Sequence, residues 1–171
     1  MLPPIYPPDA VKPFRDELTV VGLKELLTPA EVDLAVTPKG AVLCVINSIC
    51  GCAGGTARPG VALALQNKLI PDRLVTVFAG MEREAVNRVR EYHAEIAPPS
   101  SPSMILFKDG KVVEMFGRDR IEGQTPQGLA AELVEAFDRH CSRPGPSIPP
   151  EALAKLKHVQ ACGSSIPRTA R

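Results

Sequence analysis

The sequence predicts an α/β domain in which a mixed β-sheet is covered by helices. Two apolar strands, at about residues 41–47 and 74–79, are each followed by a segment of helical composition. A β-hairpin and a last helix come after them. Strands joined through helices pair in parallel, whereas a hairpin adds antiparallel strands, so one sheet is expected to contain both kinds of pairing.

The length of the chain favours a single domain. With 171 residues and 18.3 kDa, one hydrophobic core is sufficient, and we expect the domain to span residues 1–141. Residues 142–171 are expected to be a Pro-rich linker and tail, with one short helix at about 151–160. Proline clusters at both ends of the chain, so little packed regular structure is expected there.

The segment before the first strand indicates helices. Residues 14–27 have the apolar spacing of a helix, although a short strand at 18–21 is an alternative. Thr28-Pro29-Ala30-Glu31 is a capping box with proline at the first helical position. This motif predicts a short helix that ends at about Val36.

The first strand carries the continuous apolar run of residues 41–46, between Gly40 and Asn47. Such a run is typical of a buried strand. The helix expected after it extends to about Lys68. Because this helix contains Pro59 and Gly60, the sequence predicts a kink or a late helix start.

The second half of the chain has clearer local signals. Residues 74–79 predict the second strand, and an apolar stripe along residues 82–96 predicts a surface helix. Asp109-Gly110 lies between the two apolar runs of residues 103–116, which is the signature of a type I′ hairpin. Residues 125–140 predict the last helix.

Charge and hydropathy exclude several classes of protein. The chain has 20 Lys plus Arg and 19 Asp plus Glu, a net charge of +1, so no field attracts nucleic acid or an anionic membrane. The longest apolar stretch is far too short to cross a bilayer, and the N-terminus lacks the features of a secretory signal. We expect a cytoplasmic protein without nucleic-acid or membrane partners.

Two of the five cysteines form the most informative motif. Cys50 and Cys52 follow the first strand directly and precede a helix, where free backbone N–H groups stabilise a thiolate, the nucleophilic form. Gly51 relaxes the backbone between them, so that an easily reduced disulfide can form. Cys44 lies within the apolar strand, and we expect it to be structural.

The spacing of Cys50 and Cys52 alone leaves other interpretations open. They could be two ordinary thiols in a turn, or ligands of zinc or an iron–sulfur cluster. The further ligands would then have to be His140, Cys141 or Cys162, which show no paired spacing. We therefore expect no bound metal or other cofactor, and the strand-to-helix context favours redox chemistry.

The order of elements and the cysteine pair resemble the thioredoxin pattern, in which a cis proline precedes the hairpin strand, here at Pro102. Several segments are similar to the bacilliredoxin family in particular: 45–59 (VINSICGCAGGTARP), 76–80 (TVFAG), 90–92 (REY), 99–104 (PSSPSM), 121–123 (IEG) and 136–141 (AFDRHC). The resemblance implies a thioredoxin-like fold, with a mixed four-stranded sheet flanked by helices and an extra helical segment at the N-terminus.

The same resemblance implies an activity. It is thiol–disulfide exchange that removes bacillithiol, the low-molecular-weight thiol of some bacteria, from mixed disulfides with client proteins. Cys50 is then the nucleophile and Cys52 the resolving thiol. Bacillithiol is the co-substrate, and the partners are bacillithiolated clients and a flavin-dependent reductase. A cis Ser101–Pro102 bond would leave the Ser101 backbone free to bind substrate.

Two further residues are candidates for substrate binding. Arg58 could stabilise a thiolate or bind a carboxylate of bacillithiol, and is otherwise an arginine on a helix surface. Asn47 could donate a hydrogen bond near the Cys50 sulfur, or cap a turn. The alternative functions are a disulfide isomerase or general disulfide reductase with the same two thiols, and a metal-binding or scaffold module.

Overall fold

The computed structural model describes residues 1–156 and 166–169. Its helices are α1 (Pro8–Thr19), α2 (Pro29–Val36), α3 (Arg58–Ala64), α4 (Arg83–His93), α5 (Arg118–Ile121), α6 (Pro126–His140) and α7 (Pro150–Ala154). Its strands are β1 (Lys24–Glu25), β2 (Ala41–Asn47), β3 (Leu69–Ile70), β4 (Arg73–Phe78), β5 (Ser103–Lys108), β6 (Lys111–Phe116) and β7 (Arg143–Pro144). A π-helical segment, Ala53–Ala57, precedes α3.

The main sheet is mixed, with strand order β1-β4-β2-β5-β6. The strands β1, β4 and β2 are parallel to one another. β5 is antiparallel to its neighbour β2, and β6 is antiparallel to β5. This order, with a helical crossover from β2 to β4 and a terminal hairpin, is thioredoxin-like. The sheet has one strand more than the sequence predicts, because the two-residue β1 is too short to show any alternation of hydropathy.

Helices cover both faces of the sheet. Successive side chains of β2 point to opposite faces, and all its residues are buried. Leu43 and Val45 pack in the core cluster that includes residues of α1, α3 and α6. Val42, Cys44 and Ile46 pack in the cluster beneath α2 and α4. The central strand β2 is therefore packed on both faces, and this packing fixes the position at which the chain continues after Asn47.

Local sequence signals predicted several elements correctly. The α2 capping box is present, with the Thr28 side chain accepting a hydrogen bond from the Glu31 N–H. Asp109 and Gly110 both have positive φ, 51° and 81°, as a type I′ turn requires. The late start expected near Pro59 is also observed, since the α-helix begins at Arg58 after the π-helical segment.

The extra helical segment expected at the N-terminus is present, but its expected bounds, residues 14–27, are wrong. A regular helix, α1, begins at Pro8 and ends at Thr19, and neither a helix nor a strand occupies residues 20–23. Proline at the first turn costs no hydrogen bond, because that N–H has no partner within the helix. The chain then reverses at Gly22, whose φ is 107°.

Residues 141–156, which follow α6, pack on the domain rather than extend from it. β7 pairs with β3, and the Ser147 hydroxyl donates to the Val21 carbonyl at 2.7 Å. The expected short helix is present as α7, and Leu153 packs against the core. Residues 157–160 and Cys162 lie outside the described residues. Within the part of the chain that is described, no helix is long and apolar enough to span a membrane.

Candidate functional site

Cys50 lies in the short loop between β2 and the π-helical segment. Its carbonyl accepts hydrogen bonds from the Ala53 and Gly54 N–H groups at 3.1 and 3.3 Å, and its own N–H donates to Ser48 Oγ at 3.3 Å. These bonds fix its backbone at the start of a helical segment, as the sequence predicts. The side chains of Cys50 and Cys52 are both partly exposed, and both are free thiols.

The two thiols interact with each other. Burial raises the pKa of the Cys52 thiol, and the neighbouring Cys50 raises it further through charge and a hydrogen bond between the side chains. The Cys52 thiol therefore holds its proton more firmly than an ordinary cysteine does. Because the two side chains interact directly, this arrangement suits thiol–disulfide exchange.

Arg58 lies beneath the loop and not on a helix surface, which was the alternative interpretation of the sequence. Only 1% of its side chain is exposed, and its Nε donates to Glu17 Oε2 at 2.7 Å. Its Nη1 donates to the Ser48 carbonyl at 2.8 Å and to Asn47 Oδ1 at 3.1 Å. The guanidinium also lies over the Phe14 ring, 4.9 Å from its centroid.

Asn47, likewise 1% exposed, joins the same buried network. Its amide donates to the Phe14 carbonyl at 3.0 Å, and its Oδ1 accepts from the Ser48 N–H at 2.8 Å. Side chains this deeply buried offer no surface to a solute. The expectation that Asn47 and Arg58 contact substrate is therefore corrected: they position the loop that carries Cys50.

The loop of residues 100–102, called the proline loop below, lies at the same edge of the sheet as the thiols. The Ser101–Pro102 bond is cis, as the resemblance implies. Ser103, the first residue of β5, pairs with Ile46 near the end of β2. Ser101 is partly exposed and Pro102 is buried. The structure thus brings this loop to the carboxyl end of β2, the strand that precedes Cys50. The role of Ser101 and Pro102 in binding substrate stays a prediction.

Sequence reasoning missed two charged residues at this edge. Arg118 begins α5 directly after the hairpin, and its guanidinium interacts electrostatically with the Cys52 thiol. Its Nε is 3.7 Å from Glu122 Oε2. The sequence gives one signal that Arg118 lies near the thiols, and that signal is its position. Arg118 follows β6, which pairs with β5, and Pro102 directly precedes β5.

The other described cysteines lack the features of a reactive thiol. Cys44 is buried in β2, and burial raises its pKa to about 12. Burial likewise raises the pKa of Cys141 to about 12. The structural role expected for Cys44 is consistent with this. Among residues 1–156 and 166–169, no three His, Cys, Asp or Glu side chains are grouped so as to hold a metal ion.

Known proteins resemble this chain over most of its length. A family model described as "Disulphide isomerase" matches residues 6–141. A bacilliredoxin of Halalkalibacterium halodurans is 50% identical over 137 residues, which cover 80% of this chain and 94% of that protein. A bacilliredoxin of Salinibacter ruber is 46% identical over 167 residues, 96% of each chain.

Among solved structures, the thioredoxin of Malassezia sympodialis (Mala s 13) matches 70% of this chain and 90% of its own, with 11% identity and a TM-score of 0.45. The fold assignment rests on the strand order given above and not on this superposition. The thiol pair and the sequence matches identify a thiol–disulfide oxidoreductase. The chain belongs to the bacilliredoxin family.

Proposed function

We propose that the protein removes bacillithiol from mixed disulfides on client proteins. The observation that carries the proposal is the pair of partly exposed, interacting thiols, Cys50 and Cys52, in a chain of the bacilliredoxin family. The name of that family points to bacillithiol as the thiol that is exchanged. The proline loop, with the partly exposed Ser101 before the buried Pro102, lies at the same edge of the sheet as the thiols, and we propose that it binds a segment of the client.

In the first step the Cys50 thiolate attacks the bacillithiol sulfur of the mixed disulfide. A disulfide forms between Cys50 and bacillithiol, the bond from bacillithiol to the client cysteine breaks, and the client thiolate leaves and takes a proton from solvent. No net oxidation occurs in this exchange, because one disulfide replaces another. The client leaves with its thiol restored.

In the second step the Cys52 thiolate attacks the Cys50 sulfur. The Cys50–Cys52 disulfide forms, and bacillithiol leaves as a thiolate that is then protonated. The oxidised pair needs two electrons to return to thiols, and we propose that free bacillithiol and a flavin-dependent reductase supply them. Rigid support beneath Cys50 from Arg58 keeps the Cys50 sulfur in place for both attacks.

A disulfide isomerase is the second candidate, because the matching family model carries that description. An isomerase would also use Cys50 as its nucleophile, but would form the mixed disulfide with the client protein itself. The reduction potential of the Cys50–Cys52 pair separates the two: an oxidising potential favours isomerisation, and a low one favours reduction.

The test is to expose the Cys52→Ala protein to a bacillithiol-modified client and to map the products by intact mass and peptide mass spectrometry. An adduct of bacillithiol on Cys50, with release of the free client, is expected. The matched Cys50→Ala protein should acquire no such adduct. A stable disulfide between Cys50 and the client would favour the isomerase or general reductase, and no reaction at Cys50 would overturn both.

A further inference from the structure

The segment from β6 to α6 covers the second thiol. Cys52 packs against the core cluster that contains Phe116, the last residue of β6, and Ile121, the last residue of α5. The Thr56 hydroxyl donates to the Gln124 carbonyl at 2.9 Å, which ties this segment to the π-helical turn after Cys52. The residues between Phe116 and Gln124 are therefore held beside the thiol pair.

Arg118 is the cation that this arrangement brings to the thiols. Its backbone N–H donates to Ser100 Oγ at 3.1 Å, and the Ser100 carbonyl accepts from the Ser103 hydroxyl at 3.1 Å. The proline loop and α5 are thus joined. The Arg118 guanidinium is exposed, interacts electrostatically with both thiols, and has Glu122 as a loose partner at 3.7 Å.

We propose that Arg118 is a catalytic residue for the second step, in which its positive charge stabilises the Cys52 thiolate that attacks the Cys50–bacillithiol disulfide. Glu122 moderates this effect, because its carboxylate partly neutralises the guanidinium and repels the thiolate. The proposal rests on the role of Cys52 as the resolving thiol under the proposed function.

The groups around Cys52 oppose one another. Burial, the Cys50 thiol and the Glu122 carboxylate each raise the pKa of Cys52, whereas Arg118 lowers it. Once Cys50 is in a mixed disulfide it carries no charge, so it no longer raises the pKa of Cys52. Arg118 still lowers that pKa. The first step therefore creates the disulfide that Cys52 attacks and also makes the Cys52 thiol easier to ionise.

The experiment measures the pH dependence of iodoacetamide alkylation at Cys52. The background carries Cys50→Ser, which removes the neighbouring thiol as the mixed disulfide would, and Cys162→Ser, so that Cys52 is the thiol followed by mass spectrometry. In this background Arg118→Gln should raise the midpoint by about one pH unit. Glu122→Gln should lower it by less, and Arg118→Lys should leave it close to its original value.

Arg120→Gln is the matched control on the same helix. The Arg120 guanidinium pairs with Glu132 at 2.6 Å and lies over the Phe116 ring, so its loss should leave the midpoint unchanged. The curves of the parent and Arg118→Gln proteins should also cross. Near neutral pH the thiolate fraction falls about tenfold, but each thiolate is about threefold more nucleophilic, so alkylation slows about threefold. Above both midpoints the variant should alkylate about threefold faster.

A general structural disturbance would change the alkylation rate in the same direction at every pH and would not produce a crossing. An unchanged midpoint in Arg118→Gln, or shifts of the same sign in Arg118→Gln and Glu122→Gln, would overturn the proposal. The assay contains no bacillithiol, so it is independent of the proposed substrate. If the midpoints shift as expected but bacillithiol never transfers to Cys50, the role of Arg118 stands and the proposed substrate fails.

Discussion

The Arg58 guanidinium donates to the Ser48 carbonyl at 2.8 Å, so a buried cation at the start of α3 fixes the backbone two residues before Cys50. The same guanidinium pairs with Glu17 of α1. The N-terminal helix, which precedes the sheet in sequence, is thereby tied to the loop of the nucleophile. Because Arg58 joins α1 to this loop, a buried arginine lies close to Cys50 and Cys52.

We predict that Arg58→Met destabilises the protein by about 3–5 kcal/mol, because it leaves the Glu17 carboxylate buried without this cation. The free energy of unfolding from urea denaturation measures the loss. Adding Glu17→Leu should recover part of it, since the buried charge is then removed. Arg88→Met, which breaks a surface pair with Asp33, should cost no more than about 1 kcal/mol. A loss that small for Arg58→Met would contradict the prediction.

Gly60 is predicted to be essential for the contact between α3 and α6. A Cβ at this position would lie 2.9 Å from Leu129 Cδ2 and 3.3 Å from Leu129 Cβ. Gly60→Ala should therefore lower the free energy of unfolding by about 1–3 kcal/mol. Gly55→Ala is the matched control, because a Cβ there meets nothing within 4 Å. The control should be neutral or stabilising by up to about 1 kcal/mol.

Cys44 predicts a loss of stability at alkaline pH. Burial raises its pKa from 9.0 to about 12, so between these values the unfolded chain releases a proton that the folded chain retains. Stability contributed by the neutral thiol is complete below pH 9 and falls as pH rises, by up to about 1.4 kcal/mol per pH unit. In Cys44→Ala the slope of the unfolding free energy against pH should flatten over this range. The same slope in both proteins would sink the idea.

Metal analysis of protein purified without oxygen tests the non-enzymatic alternative. We expect zinc and iron far below one ion per chain, since Cys50 and Cys52 alone supply too few ligands for either site. Elemental mass spectrometry gives the stoichiometry. One zinc per chain that is lost in Cys50→Ala would replace the redox function with metal binding.

Elements with a strong local signal could be predicted from the sequence. The run of residues 41–46 fixed β2, Asp109-Gly110 fixed the hairpin, and together they placed Cys50, Cys52 and Pro102 at one edge of the sheet. These signals are local in sequence, because strand burial and turn chemistry depend on neighbouring residues.

Other parts of the site depend on contacts between residues distant in sequence. Arg58 is buried because Glu17 of α1 meets it, and no spacing along the chain indicates that pairing. Arg118 reaches the thiols because β6 ends beside the proline loop. β3 and β7 are two residues each, too short for a period of alternation, so their pairing could not be seen either.

The buried Arg58 has a consequence for engineering the protein. The thiol pair lies between the buried ion pair of Arg58 and Glu17 on one side and the exposed Arg118 and Glu122 on the other. A directed-evolution library over residues 118–120 and 122, which leaves the buried Ile121 unchanged, would sample the exposed side while the buried pair of Arg58 and Glu17 preserved folding. The surroundings of the thiols are therefore open to redesign at the exposed positions of α5, whereas substitutions at the buried Arg58 or Asn47 would lower stability first.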